Sequence, residues 1–193
     1  MVLCDIDVVI MKIIICKINN NLVRNQKHIF LINTLVDKLK EYFNISISKD
    51  DIVYDKLGKP YIKDNQKKFS FSYSDEIAVI GISDYNLGID VEKIKQYDEK
   101  IVNKIYSKEE FDFINNSKNK DYEYTKLWTY KEAYVKSKGT GIDKNFNKLN
   151  FIGNHDYKDD NLFKTINYTN YIITVCSEDT NLEVEVVYDE WYI

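Results

Sequence analysis

The sequence predicts an α+β fold built from two similar lobes, residues 1–86 and 87–193. Each half opens on an apolar strand, continues with helix and closes with short strands, so the order of elements repeats although the residues do not. A chain of 193 residues is long enough for two small lobes. No linker rich in Gly, Ser or Pro marks the boundary near Asn86, and we therefore expect the lobes to pack tightly.

The first lobe is predicted to hold one long helix between strands. The apolar run at 8–18 predicts a buried strand. Short apolar runs separated by polar turns predict further strands at 61–62, 69–74 and 77–83. Apolar residues at helical spacing predict an amphipathic helix over 27–43, on the strength of Ile29, Ile32, Leu35, Val36, Leu39 and Phe43.

The second lobe repeats this order with more helix. A strand is predicted at 87–92, followed by short helices at 97–106 and 107–115. A longer helix is predicted at 121–137, and Gly139 is a typical residue just after a helix end. The remaining apolar runs predict late strands at 146–151, 161–167, 171–177 and 182–188.

Composition and charge exclude several classes of function. The chain is 44% hydrophobic and 30% charged, and its net charge of −4 gives no reason to expect nucleic acid or an anionic membrane as a partner. The apolar run at 8–18 is too short to span a membrane, and Lys12 interrupts it. Three cysteines without metal-ligand spacing, Cys4, Cys16 and Cys176, indicate a reducing environment, so we expect a cytoplasmic protein.

Three carboxylates and a lysine are placed as a magnesium site for phosphate chemistry would require. Asp90 and Glu92 are two residues apart on a predicted strand and so share a face. Glu132 and Lys136 are four apart on a predicted helix and also share a face. Mg²⁺ prefers oxygen ligands and often bridges carboxylates to phosphates, while a lysine can hold a phosphate oxygen. A polar strand face and a helical ion pair are the simpler structural alternatives for these two pairs.

Four motifs in order resemble one enzyme family. Residues 88–92 (G-I-D-V-E) and 128–136 (W-T-Y-K-E-A-Y-V-K) are similar to the signature of the 4′-phosphopantetheinyl transferases. Residues 58–60 (G-K-P) and 69–74 (F-S-F-S-Y-S) resemble two further elements of that family. The length resembles the larger, two-lobed branch, the surfactin-synthetase-activating (Sfp) type. In that family the fold is a pseudo-dimer of two α+β lobes with the active site between them, and chains open on the first strand, so residues 1–10 are expected to be an extension ahead of Met11.

The resemblance implies an activity and its partners. Such an enzyme transfers 4′-phosphopantetheine from coenzyme A to a serine of an apo acyl or peptidyl carrier protein, releases 3′,5′-adenosine bisphosphate, and needs Mg²⁺, with Mn²⁺ as a possible substitute. By resemblance the metal ligands are Asp90, Glu92 and Glu132. Lys136 is expected to contact the attacked phosphate, and Glu132 to act as general base, either directly or through a metal-bound water.

Two further motif residues have open roles. A family carboxylate near Glu110 lies close to the metal and assists as base, so Glu110 is a candidate catalytic residue by resemblance. Residues 107–110 (S-K-E-E) also form a capping box, which explains the same glutamate without catalysis. Lys131 belongs to the family motif and is placed among the coenzyme contacts, although chemistry alone assigns it no role.

The remaining coenzyme contacts are Lys59, Ser72, Tyr73 and Lys136. By resemblance the position of Ser72 contacts the 3′-phosphate, and its neighbour is usually histidine. Tyr73 stands there in this chain and carries no positive charge at neutral pH, so 3′-phosphate recognition is expected to be weaker. Basic residues near the first long helix could substitute for those the family often uses, namely Arg24, Lys27 and His28.

Two alternative functions remain open on the sequence. A non-catalytic module that binds coenzyme A or a carrier protein would be consistent with Tyr73. A metal-dependent exonuclease would use the D-x-E strand together with His155 and Asp160, but the chain lacks a basic surface for DNA. We expect a monomer to suffice, because both lobes lie in one chain. The sequence leaves the choice of carrier protein undetermined.

Overall fold

Two four-stranded sheets and four α-helices carry the fold in the computed structural model, which describes residues 11–143, 145–153, 157–179 and 183–189. The first half contains β1 (Met11–Lys17), α1 (Arg24–Phe43), β2 (Ile52–Tyr54), β3 (Pro60–Ile62), β4 (Lys68–Ser74) and β5 (Ile77–Ser83). The second half contains β6 (Leu87–Lys93), α2 (Glu99–Ile105), α3 (Lys108–Asn116), α4 (Lys120–Lys138), β7 (Tyr157–Lys158), β8 (Asn161–Tyr168), β9 (Tyr171–Ser177) and β10 (Val184–Asp189).

The sheets are mainly antiparallel, and the last strand returns to the first sheet. One sheet has the order β10-β1-β5-β4, and the other has the order β6-β9-β8-β7. In the first sheet β10 runs parallel to β1, from the pair Met11 and Val184 to the pair Cys16 and Asp189. Strands β2 and β3 form a separate two-stranded hairpin. The predicted boundary near Asn86 falls between β5 and β6. Strand β10 comes after this boundary in the chain but pairs with β1, which comes before it.

Three apolar clusters stack the elements as helix, sheet, sheet and helix. Alternation along β1 sends Ile14 and Cys16 towards α1, and Ile13 and Ile15 towards the second sheet. On β6, Ile89 and its apolar neighbours face the first sheet in the same central cluster. The outer face of the second sheet packs against α4 and the short helices through a third cluster. Strands β4 and β6, the adjacent edges of the two sheets, therefore meet at one side of the molecule.

Most predicted elements are confirmed, and one strand is wrong. The helices predicted at 27–43, 107–115 and 121–137 lie within one to three residues of α1, α3 and α4. The strand predicted at 146–151 is instead a 3₁₀ turn, Phe146–Lys148, with a loop after it. The Lys131 ammonium donates hydrogen bonds to the carbonyls of Phe146 and Leu149, so these backbone groups bond to a side chain instead of to a neighbouring strand. The predicted strand start at 8–10, residue 182 and His155 lie outside the described residues.

Among the described helices, none combines the length and apolar character needed to cross a lipid bilayer.

Candidate active site

Helix α4 lies directly on strand β6 because Gly88 has no side chain. A Cβ at Gly88 would lie 2.0 Å from the carbonyl oxygen of Ala133 and 2.4 Å from the amide nitrogen of Ser137. Both are helix backbone atoms, which cannot move aside cheaply. The close approach brings Glu132 and Lys136, on one face of α4, over the carboxylates of β6.

Alternate serines of β4 join it to β6. The Ser70 hydroxyl accepts from the Ile89 amide at 3.1 Å. Ser72 donates to Asp90 Oδ1 at 2.8 Å, and Ser74 donates to a carboxylate oxygen of Glu92 at 2.9 Å. These three hydroxyls share one face of β4, as the alternation of serine and aromatic residues predicts. They connect the edges of the two sheets and hold the two β6 carboxylates in place.

The buried Asp90 and the half-buried Lys136 form an ion pair at the centre of the site. Lys136 Nζ lies 2.7 Å from Asp90 Oδ1, and also donates to Ser72 Oγ at 3.0 Å and to the Ile89 carbonyl at 3.2 Å. Asp90 is only 4% exposed. Burial raises the pKa of Asp90, against the opposing effect of the Lys136 charge. Its other oxygen, Oδ2, is buried and has no hydrogen-bond partner in the part of the chain that the structure describes.

Glu92 and Glu132 complete a set of three carboxylates. Glu92 accepts from the Trp128 indole N–H at 3.1 Å and pairs with Lys95 at 2.8 Å. Burial raises the pKa of Glu132 to about 7, and the negative charges of Asp90 and Glu92 contribute in the same direction. Trp128 contacts Phe146 edge-on, and its N–H also orients Glu92, a role that sequence spacing alone does not reveal.

The three carboxylates provide oxygen ligands that suit a hard cation, although they are not grouped around one metal position. Oxygen ligands are those that Mg²⁺ and Mn²⁺ prefer, and Asp90 Oδ2 is a buried acceptor without a donor. Mutual repulsion among the three carboxylates adds to the effect of burial on the pKa of Glu132, and a cation would relieve it. Within the described residues no three His, Cys, Asp or Glu side chains are already grouped around a common metal position. The positive charge at Asp90 is instead the Lys136 ammonium.

Glu110 and Lys131 form a second buried ion pair, away from the carboxylates of β6. Lys131 Nζ lies 2.8 Å from Glu110 Oε2, and both side chains are fully buried. Glu110 also accepts from the amides of Ser107 and Phe151. The capping-box explanation of Glu110 is therefore confirmed by the structure. The contacts of Lys131 likewise place it in the interior and not on the wall of the cleft, so the structure does not bring these two residues to the candidate site.

The expected coenzyme contacts are distributed over three places. Ser72 belongs to the carboxylate cluster. Tyr73 points to the opposite face of β4, where the Lys27 ammonium lies 5.2 Å from the centre of its ring. Lys59 donates to the Ser137 carbonyl at 2.8 Å, which ties the loop before β3 to the end of α4, and burial lowers its pKa. Of this group, Lys59 and Lys136 line the cleft between the lobes.

That cleft lies beside Glu132 and Lys136. It has a volume of about 420 Å³, and residues from β4, from the loop that leads into β3 and from α4 line it. Glu132 and Lys136 of α4 line it, and so does Arg24 at the start of α1. The exposed side chains of Leu57 and Ile142 also line it. Both residues lie in loops, and nothing in the sequence predicts that they contribute to the cleft. The arrangement can hold an extended ligand that ends in a phosphate beside Lys136.

Comparisons with known proteins agree with these motifs. A family model described as the 4′-phosphopantetheinyl transferase superfamily matches residues 86–183. The 4′-phosphopantetheinyl transferase gsp of Aneurinibacillus migulanus is 32% identical over 102 residues, 51% of this chain and 43% of that protein. The corresponding transferase Sfp of Bacillus subtilis is 31% identical over 101 residues, 50% of this chain and 45% of that protein. The matched segment thus spans less than half the length of these curated relatives.

The holo-[acyl-carrier-protein] synthase of Thermotoga maritima is a structural neighbour with a TM-score of 0.41 and 18% identity, covering 52% of this chain and 64% of that one. The family model covers about half of the chain, including β6 and α4 with all three carboxylates and Lys136. The chain therefore belongs to the 4′-phosphopantetheinyl transferase superfamily, and its relatives support the Sfp-type branch that the sequence motifs predict.

Proposed function

We propose that the protein transfers the 4′-phosphopantetheine group of coenzyme A to a serine hydroxyl of an apo acyl or peptidyl carrier protein, and releases 3′,5′-adenosine bisphosphate. One observation supports this function most: Lys136 and Glu132 lie together on the wall of a cleft of about 420 Å³, directly beside the buried Asp90. A phosphate ester in this cleft would contact the Lys136 ammonium and the Glu132 carboxylate, whose pKa is near 7, on one face of α4.

The proton and the phosphate each have a residue to receive them. Glu132, on the wall of the cleft, is positioned to accept the proton of the serine hydroxyl, either directly or through a water molecule. The serine oxygen bonds to the β-phosphorus as the bond from that phosphorus to the bridging oxygen breaks, and the bisphosphate leaves with the electron pair. Lys136 stabilises negative charge that develops on the phosphoryl oxygens. Arg24 also lines the cleft, and we propose that it contacts the nucleotide end of the coenzyme.

Asp90, Glu132 and Glu92 would hold a divalent cation, Mg²⁺ or Mn²⁺. When bound, it would neutralise the pyrophosphate and stabilise the charge of the leaving group. The ligand types fit, and the unpartnered Asp90 Oδ2 is the strongest single reason to expect an ion there. The described residues supply both sides of the cleft from one chain, which is consistent with a monomer. The free, buried thiols of Cys16 and Cys176 are consistent with a cytoplasmic protein.

The test is a transfer assay with the purified chain, coenzyme A, Mg²⁺ and an apo carrier protein, followed by intact mass of the carrier. We expect the carrier to gain one phosphopantetheine, and to gain none with EDTA or with Asp90→Asn. Lys136→Ala should slow transfer by about 10²-fold or more. Glu109→Gln, an exposed neighbour of Glu110 on α3, serves as a control that should transfer normally.

Full transfer by Asp90→Asn in the presence of EDTA would contradict the proposal. Coenzyme A binding without transfer to any of several carriers would favour the binding module instead, with Tyr73→His as the first variant to make. No observation on the described residues favours the exonuclease, since His155 lies outside them.

A further inference from the structure

The Lys136 ammonium is fully engaged before any ligand arrives. A lysine ammonium has three N–H donors and no acceptor. Lys136 Nζ has three acceptors within hydrogen-bond distance, which are Asp90 Oδ1 at 2.7 Å, Ser72 Oγ at 3.0 Å and the Ile89 carbonyl at 3.2 Å. It therefore has no free donor for a phosphate, and it must release at least one of these acceptors to bind one.

Asp90 is engaged on one side only. Its Oδ1 receives both Ser72 and Lys136, while its buried Oδ2 receives no donor from the described residues. The described carboxylates are not grouped around a common metal position, so the ammonium holds the place of the counter-charge in this arrangement. A divalent ion at Oδ2 would add a second positive centre to one carboxylate, and the two positive groups would repel each other.

We propose that Lys136 is a resident counter-ion which competes with the divalent cation for Asp90, and that coenzyme A relieves the competition by drawing the ammonium onto its phosphate. The competition between Lys136 and the cation is independent of the transfer reaction, and only the identity of the phosphate ligand rests on the proposed function. Cation and coenzyme then bind cooperatively, because each favours the position of Lys136 that the other requires. By linkage, each must raise the affinity of the other by the same factor.

The variant Lys136→Gln separates the competition for Asp90 from the cooperativity between cation and coenzyme. It removes the resident charge and leaves Asp90 to the cation, so the affinity for Mn²⁺ alone should increase by about tenfold. It also removes the group that responds to the coenzyme, so the coupling should fall to what direct contact between the cation and the coenzyme phosphates contributes. Ser72→Ala removes one of the three ammonium acceptors and should shift the affinity for Mn²⁺ alone in the same direction by a smaller factor.

The measurement is Mn²⁺ binding followed by electron paramagnetic resonance, with and without coenzyme A and without carrier protein, so that no transfer occurs. Binding of Mn²⁺ to free coenzyme A is subtracted from a protein-free titration. For the unmodified protein we expect coenzyme A to increase the Mn²⁺ affinity by about tenfold or more. Lys138→Gln is the matched control, because it removes the same charge two residues along α4, where the ammonium pairs with Glu178. It should leave the affinity and the coupling near those of the unmodified protein.

Equal or weaker Mn²⁺ binding by folded Lys136→Gln would overturn the competition. Should that variant fail to fold, judged by circular dichroism, Ser72→Ala and the coupling in the unmodified protein decide instead: the absence of both effects rejects the proposal. Cooperative binding in a protein that transfers nothing to any carrier would leave the counter-ion role standing and reject the transferase function. Tighter Mn²⁺ binding by Lys136→Gln, with no coupling to coenzyme A in the unmodified protein, would retain the competition and reject coenzyme A as the phosphate ligand.

Discussion

Glu132 carries a stability cost that depends on pH. Its pKa in the folded protein is raised to about 7, chiefly by burial, above the ordinary value near 4.5. Between these two values the folded protein binds more protons than the unfolded chain, so the free energy of unfolding falls as the pH rises through this window. Above pH 7 the full cost of the buried charge is present, unless a cation offsets it.

Glu132→Gln should therefore stabilise the cation-free protein at pH 8 and have a smaller effect at pH 4.5. We expect a gain of roughly 1–2 kcal/mol at pH 8, a figure reduced for the partial exposure of the group. The check is urea unfolding at both pH values in EDTA and in Mg²⁺. Magnesium should stabilise the unmodified protein and not the variant, and an equal gain at both pH values would argue against the raised pKa.

The pair of Glu110 and Lys131 should be costly to break from one side. Lys131→Met leaves the Glu110 carboxylate buried without its cation, which typically costs about 3–5 kcal/mol of stability. The double variant Lys131→Met/Glu110→Gln removes both charges and should recover part of that loss. Urea unfolding measures both, with the exposed Glu109→Gln as control. Additive losses in the double variant would mean that the two groups do not act as a pair.

At the scale of elements, the helices were the most predictable feature. The Ser107 and Glu110 capping box starts α3, and Gly139 in a left-handed conformation ends α4, as the sequence signals predict. The strand predicted at 146–151 was wrong, because Phe146 and Phe151 are buried against aromatic side chains of α4, and the carbonyls of Phe146 and Leu149 accept hydrogen bonds from Lys131. The register of Ser72 opposite Asp90 could not be predicted either, since nothing in the local sequence says which edge strand lies beside β4.

Gly88→Ala tests the contact between α4 and β6. The new methyl group would meet two helix backbone atoms, so the helix must move outward and separate Glu132 and Lys136 from Asp90. We expect a loss of about 2–3 kcal/mol in stability and a clear loss of Mn²⁺ binding. Gly81→Ala is the matched control, because its methyl group would meet the flexible Leu87 side chain at 2.7 Å. Equal losses in both variants would show that the close approach is not what places the site.

At the scale of the whole molecule, β10 joins the end of the chain to its beginning. Lys38 on α1 lies 3.0 Å from Asp189 on β10, and both side chains are largely buried. The Lys12 and Glu185 side chains form a second ion pair between β1 and β10. The sequence places this strand in the predicted second lobe, and its pairing with β1 could not be predicted because parallel pairing between distant segments leaves no local signal. Both halves of the chain therefore contribute to the first sheet.

Asp189→Asn should weaken the attachment of β10 to the first half of the chain. Lys38 would keep only Glu41 as a charged partner, so we expect a loss of about 2–3 kcal/mol and an unfolding transition that remains single. Glu185→Gln removes a half-exposed partner and should cost less than about 1 kcal/mol. Thermal unfolding followed by tyrosine and tryptophan signals compares the two. A second transition in Asp189→Asn would indicate that the lobes had become independent.

The junction of the two sheets has a consequence for how the cleft could diverge between relatives. In the described strands, hydroxyl groups and not a backbone ladder connect β4 to β6. In a backbone ladder a side-chain substitution other than proline leaves the hydrogen bonds in place, whereas exchange of one of these serines removes its hydroxyl bond. We therefore expect the contact between the two sheets to change one bond at a time at positions 70, 72 and 74, with both sheets left intact.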